Sequence, residues 1–240
     1  MNQAPLIKFT LLTLFPEALQ PYLDSSMLWK AQARQIIQVD YLNLRDFGLG
    51  PHRSVDDTPY GGGDGMLLRC EPIFAAVEKV KSQSPAVEVV IPTPVGRIWT
   101  QALARQFAGT DEEVSQSTTP KHYLIICPHY EGYDQRILTL VDHQICLGPY
   151  ILTGGELPAL IMIDSITRLL PGVLSGATSA VVESFSDGNN LEYPQYTKPA
   201  DFRGLKVPEV LLSGHHGAIA EWRARHSGRL DSELPPIKVC

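Results

Sequence analysis

The chain has 240 residues, 44% of them hydrophobic, with 20 Lys+Arg against 26 Asp+Glu and a formal net charge of −6. That is enough length and apolar content for one core, or a core with an appendage, and it excludes a disordered or collagen-like chain. The acidic balance excludes a broadly basic nucleic-acid-binding surface, so any RNA contact must use a local patch.

Gly and Pro number 19 each, which predicts many backbone-shaped loops. Cys70, Cys127, Cys146 and Cys240 fall at no Cys-x-x-Cys spacing, so they are expected reduced and mostly buried in a cytoplasmic protein. No apolar run approaches the ~18 residues of a membrane span. The run Phe9 to Phe15 ends at Pro16-Glu17 without a small-residue cleavage pattern and is expected to be a first buried strand.

In chain order, β-rich runs fall at residues 7–15, 36–42, 87–91, 122–127 and 144–147. Helical patterns fall at 71–81, 100–107, 134–140 and 156–170. This alternation predicts an α/β domain with a largely parallel sheet. The 156–170 helix is apolar nearly all round and is expected to be deeply buried. Residues 106–120 have the composition of a solvated loop. From Pro171 the periodicity is lost and Gly, Ser, Asn and Pro accumulate. The expected division is therefore a domain at 1–172, a linker at 173–199 and a small helical domain at 200–240, with a helix near 217–226.

Several loops carry chemistry. Tyr60-Gly61-Gly62-Gly63-Asp64-Gly65 could cradle a phosphate or serve as a structural turn, and it lacks the Lys-Ser/Thr of a P-loop. The second Gly-rich run, Leu147 to Pro158, follows a strand and opens a helix. Its main chain can bind an adenine edge while Ile151 and Leu152 pack on the ring. Tyr130-Glu131-Gly132 and Thr93-Pro94 also leave strands at loops, where open α/β sheets bind ligands. Arg168 follows Asp164 at the spacing of an intrahelical ion pair. Glu183 stands in the linker, and His215-His216 lack partners at zinc-ligand spacing.

Six motifs carry a family resemblance: Leu14-Phe15-Pro16-Glu17; His52-Arg53-x-Val55-Asp56-Asp57-x-Pro59-Tyr60-Gly61-Gly62-Gly63; Tyr130-Glu131-Gly132; Leu152-Thr153-Gly154-Gly155-Glu156-Leu157-Pro158; Pro171-Gly172-Val173-Leu174; and Val210-Leu211-Leu212-Ser213-Gly214-His215-His216. In this order they resemble the bacterial tRNA (guanine-N1)-methyltransferase family, TrmD, of the SPOUT class, from about residue 7 to Arg223. The resemblance implies a knotted parallel-sheet domain, a homodimer, and methylation of guanine N1 at tRNA position 37 with S-adenosyl-L-methionine as donor. It also implies magnesium (Mg2+) without a dedicated protein cage; no residue is assigned as a metal ligand.

Carried over residue by residue, the resemblance implies cofactor binding by Thr93, Pro94, Pro128, Tyr130, Glu131, Gly132, Leu147, Gly148, Pro149, Tyr150, Ile151, Leu152, Gly154, Gly155 and Pro158. Its catalytic arginine falls on Arg168 and its catalytic carboxylate on Glu183. Neutral guanine carries a proton at N1, so methyl transfer needs a base there and a cation near O6. Glu183 takes the first role and Arg168 the second. Asp56 and Asp57 are expected to hold their loop or to meet the guanine edge.

Three departures stand out. The family prefers Asp at Glu183, which predicts retained but slower catalysis. Pro128-His129 replace a Gly-Arg pair and Pro149 an acidic residue, which predicts reshaped cofactor contacts. After Trp222-Arg223 the chain runs Ser227-Gly228-Arg229 to Leu234-Pro235-Pro236 where the family continues an Arg-rich helical segment, so part of the tRNA-binding surface is expected to be missing. An alternative reading is a non-catalytic dimer that binds adenosylmethionine or RNA.

Overall fold

The computed structural model describes residues 4–109, 119–174, 183–186, 188 and 190–229. The chain divides into two compact units after Leu174.

The first unit is built on five parallel strands in the order β2-β1-β6-β5-β7. These are β1 (Ile7–Thr13), β2 (Ile37–Asn43), β5 (Glu88–Ile98), β6 (Lys121–Ile126) and β7 (His143–Cys146). Short β3 (Asp56–Asp57) and β4 (Leu67–Leu68) form a separate antiparallel ladder. A sheet covered on both faces needs near-continuous apolar runs, and β1 and β6 supply them. On one face Ile7, Phe9, Leu11, Tyr123 and Ile125 are buried under α1 (Pro16–Leu23), α2 (Ser26–Ala33), α4 (Gln101–Ala108) and α5 (Glu156–Thr167). On the other, Leu12, Leu124 and Ile126 pack on Ile73, Ala76, Val77 and Val80 of α3 (Cys70–Gln83), whose spacing makes one apolar stripe.

The residues select these elements locally. Pro16 starts α1, where a missing N–H costs nothing. The Thr100 hydroxyl caps α4 by accepting from the Leu103 amide at 3.2 Å.

Several expectations are corrected. Residues 134–140 form a 3-10 helix, Gln135–Leu140, in place of an α-helix. β5 runs on past residue 91: its register against β7 jumps from Pro92 to Arg97, with Thr93 to Gly96 looped out of the ladder. The helix at 156–170 ends at Thr167, and Leu157 and Ile161 on it are 59% and 46% exposed. Cys70, Cys127 and Cys146 are free thiols, while Cys240 lies outside the described residues.

The second unit contains β8 (Asn190–Leu191) paired with β11 (Gly228–Arg229), a hairpin of β9 (Asp201–Phe202) and β10 (Leu205–Lys206), α6 (Glu209–Leu212) and α7 (His216–His226). Its described side chains are all partly or fully exposed. Of the expected linker, residues 175–182, 187 and 189 lie outside the described residues, as do most of the expected 106–120 loop and the end of the chain beyond 229. The described linker residues include a turn in which Phe185 N donates to Asn190 O at 2.7 Å.

Candidate functional site

A bulge within β5 and the loops that follow β6 and β7 meet at one cleft of about 220 Å³. Thr93 and Pro94 come from the β5 bulge; residues 128–133 follow β6, and residues 147–155 run from β7 to α5. Fourteen of the fifteen residues expected at the cofactor line this cleft; Pro149 does not. Pro92, His129, Tyr133, Ile145, Cys146 and Thr153 line it as well. In the sequence His129 stands out only as a departure from the family pattern, and its neighbour Tyr130 is the available signal.

Backbone hydrogen bonds hold the loops in register. Glu131 N donates to Met66 O at 3.1 Å and Leu68 N to Gly132 O at 2.9 Å, so the strand after the first Gly-rich loop supports the Tyr-Glu-Gly turn. Tyr130 holds a left-handed φ of 61°, an uncommon conformation for a residue with a Cβ. Asp134 closes the turn: its carboxylate accepts from Arg136 Nε at 2.9 Å and Nη2 at 2.7 Å. The Arg136 side chain holds the Asp134 pKa well below the usual carboxylate range.

The polar inventory suits a neutral or cationic organic ligand with an aromatic face. Ile151, Leu152, Pro158 and Ile145 give apolar walls, and Thr93, Glu131 and His129 give polar edges. Burial pushes the Cys127 thiol, beneath the β6 loop, well up, and the negative Glu156 adds to the shift. A thiol so buried is not a nucleophile at neutral pH.

Of the other predicted residues, those of the first unit lie outside the cleft lining. Tyr60 is fully exposed beside the Gly-rich turn, and Asp57 pairs with Arg69 at 2.9 Å, so that carboxylate holds its own loop. Arg168 caps the end of α5, half-buried, with its amide on Asp164 O at 3.1 Å. The Asp164 carboxylate accepts the Tyr22 hydroxyl at 2.7 Å. Glu183 belongs to the second unit, half-buried, and its carbonyl accepts the Ser186 amide at 3.2 Å. Among the described residues no group of three or more His, Cys, Asp or Glu is gathered to hold a metal ion, and no helix is long and apolar enough to cross a membrane.

A family model described as tRNA (Guanine-1)-methyltransferase TrmD matches residues 7–233. The chain belongs to the TrmD family. It is 48% identical over 224 residues to a tRNA (guanine-N(1)-)-methyltransferase of Geobacillus kaustophilus, covering 93% of this chain and 87% of that one. It is 47% identical over 231 residues to the enzyme of that name from Latilactobacillus sakei, covering 96% and 89%. The solved tRNA (m1G37) methyltransferase of Aquifex aeolicus superposes with a TM-score of 0.73 at 38% identity, over 92% of this chain and 89% of that one. The TrmD motifs at Tyr130 to Gly132 and Leu152 to Pro158 are therefore the segments that meet at the cleft.

Proposed function

We propose that this TrmD-family enzyme methylates N1 of the guanine at tRNA position 37, using S-adenosyl-L-methionine held in the cleft between the β5, β6 and β7 loops. The observation that carries this reading is the convergence on that cleft of fourteen of the fifteen residues assigned to the cofactor through the family resemblance. Its apolar walls fit an adenine ring, and its looped main chain supplies the donors and acceptors for the ring edge. The bound donor supplies an activated methyl group on a sulfonium.

The chain's own residues do the rest. Glu183 accepts the N1 proton as N1 bonds to the methyl carbon and the carbon–sulfur bond breaks. Arg168 stabilises the charge that gathers on O6 as the proton leaves. Arg168 and Glu183 belong to different compact units; in this reading tRNA docking couples substrate recognition to assembly of the catalytic pair, a form of induced fit. The enzyme acts as a homodimer in the cytoplasm. Leu157 and Ile161, one turn apart on α5 and exposed, support the dimer, because a half-exposed apolar stripe on a core helix is the pattern of a covered face. Magnesium belongs to the reaction without a protein cage of its own.

The test is methyl transfer from labelled S-adenosylmethionine to a transcript with guanine at position 37, beside the same transcript with adenine there. Label on the guanine transcript alone is the expected result. Cofactor binding without label on either transcript would replace this reading with a non-catalytic binding protein.

A further inference from the structure

At one wall of the cleft the half-buried His129 is almost joined to the half-buried Glu156 behind it. Thr13, fully buried at the end of β1, accepts the Phe15 amide at 3.0 Å and donates its single proton to Glu156 Oε1 at 2.7 Å. Glu156 opens α5, where the positive helix end favours a carboxylate. Its other oxygen, Oε2, lies 3.8 Å from His129 Nδ1. That gap is too long for a hydrogen bond, and Nδ1 is buried without a hydrogen-bond partner.

Gly154 stands between the two groups. A Cβ there would lie 2.4 Å from Glu156 Oε2 and 2.6 Å from His129 Nδ1. The glycine keeps open a line of approach that any side chain would block. The His129 ring packs on Phe15 and Tyr130, with centroids 5.0 and 5.6 Å away, and lines the cleft. It is carried by the same turn that presents Tyr130, Glu131 and Gly132.

We propose that Thr13, Glu156 and His129 form a latch that closes when the cofactor fills the cleft, with Glu156 as a positioning residue acting through His129. The proposal rests on the assignment of the cleft to S-adenosylmethionine. Closure requires a movement of about 1 Å, after which Nδ1–H donates to Oε2 at ordinary distance. A carboxylate oxygen only accepts, so the closed latch fixes the ring proton on Nδ1. The turn at residues 129–132 is then drawn against the β1 end and α5. Satisfying a buried orphan nitrogen only in the bound state converts that bond into affinity.

Glutamine at position 156 tests the latch with little change of shape. Its oxygen accepts from Thr13 or from His129 Nδ1–H, and its amide N–H2 reaches Nδ1 only when the ring proton moves to Nε2, a tautomer that the ring ¹⁵N shifts report. The measurements are the dissociation constant for S-adenosylhomocysteine of the full chain, Glu156→Gln, His129→Ala and the double variant, and the ligand-free melting temperature of each. The ring ¹⁵N shifts of His129 in the unaltered protein, with and without S-adenosylhomocysteine, need no variant.

The latch predicts about tenfold weaker binding for each single variant and no further loss in the double, as for residues acting as one unit. It also predicts ligand-free melting temperatures lowered only modestly, by the helix-end charge lost in Glu156→Gln and the ring packing lost in His129→Ala, and a His129 Nδ1 that becomes a hydrogen-bonded donor on binding. Losses that add in the double variant, wild-type affinity in Glu156→Gln, or an unmoved ring resonance would each overturn the latch while leaving the cofactor assignment standing. An unaltered protein that binds no S-adenosylhomocysteine would overturn the cofactor assignment and the latch with it.

Discussion

The Gly155 amide donates to the Pro128 carbonyl at 2.7 Å, which ties the loop leaving β7 to the loop leaving β6. The approach depends on the missing side chain, because a Cβ at Gly155 would stand 2.5 Å from Pro128 Cδ and 2.7 Å from Cys127 Cα. These neighbours are a proline ring and main chain, neither of which can swing away. Gly155→Ala should therefore separate the loops, lower the melting temperature as an overpacked site does, by about 1–3 kcal/mol in stability, and weaken S-adenosylhomocysteine binding at least about tenfold. Calorimetric titration checks it; wild-type affinity would mean that the two loops do not depend on this contact.

Arg168→Ala and Glu183→Ala test the proposed catalytic pair. Each should lower kcat about 100-fold or more, the usual worth of a proton acceptor or a charge stabiliser. Affinity for S-adenosylmethionine should stay nearly intact, because in the proposed mechanism both groups act on the guanine. Glu183→Asp should raise kcat if the extra methylene misplaces the carboxylate. Single-turnover rates with saturating tRNA separate these effects from binding.

Much of this architecture is legible in the sequence because fully buried parallel strands write themselves as unbroken apolar runs, as in Leu11-Leu12 and Leu124-Ile125-Ile126. The helices α1 and α2 are not, since each is eight residues long and α1 carries Pro16 and Pro21. The looped-out stretch in β5 is hidden because Pro92 and Pro94 look like the end of a strand, whereas a bulge lets β5 resume at Arg97. Most cleft residues are legible through the family resemblance. The meaning of His129 is not: it depends on Glu156 and Thr13, which only the crossing of three chain segments brings near.

His122 gives the first unit a pH dependence away from the cleft. It is 7% exposed, with Nε2 2.9 Å from the Thr10 hydroxyl, and burial, helped by the Lys8 charge and opposed by Asp40, lowers its pKa to about 4. The unfolded chain titrates near the ordinary value of about 6.5. As pH falls through the window from about 6.5 to 4, the unfolded state therefore takes up this proton first and stability drops; above the window the contribution is complete. The limit is about 3 kcal/mol at roughly 1.4 kcal/mol per pH unit. Urea unfolding at pH 7 and pH 5 should show the loss, and His122→Gln should flatten it.

The hairpin of the second unit should contact tRNA. Residues 193–229 hold 6 Lys+Arg against 3 Asp+Glu, a local basic excess in a chain of net charge −6. At the hairpin tip Phe202 is 56% exposed with the Arg203 guanidinium 5.2 Å from its ring centre. An exposed ring beside a cation is the pairing that stacks on a base and meets a phosphate. Arg203 holds a φ of 56°, so asparagine, which tolerates that conformation, removes the charge with less backbone strain than alanine. Arg203→Asn should weaken tRNA binding and reduce the slope of log affinity against log salt by about one, the loss of one phosphate contact. Phe202→Ala should weaken binding roughly tenfold with the salt slope unchanged, because stacking releases no counterions. Neither should alter S-adenosylhomocysteine affinity. An unchanged salt slope in Arg203→Asn would move the RNA contact away from this hairpin, to the cations of α7 at Arg223 and Arg225.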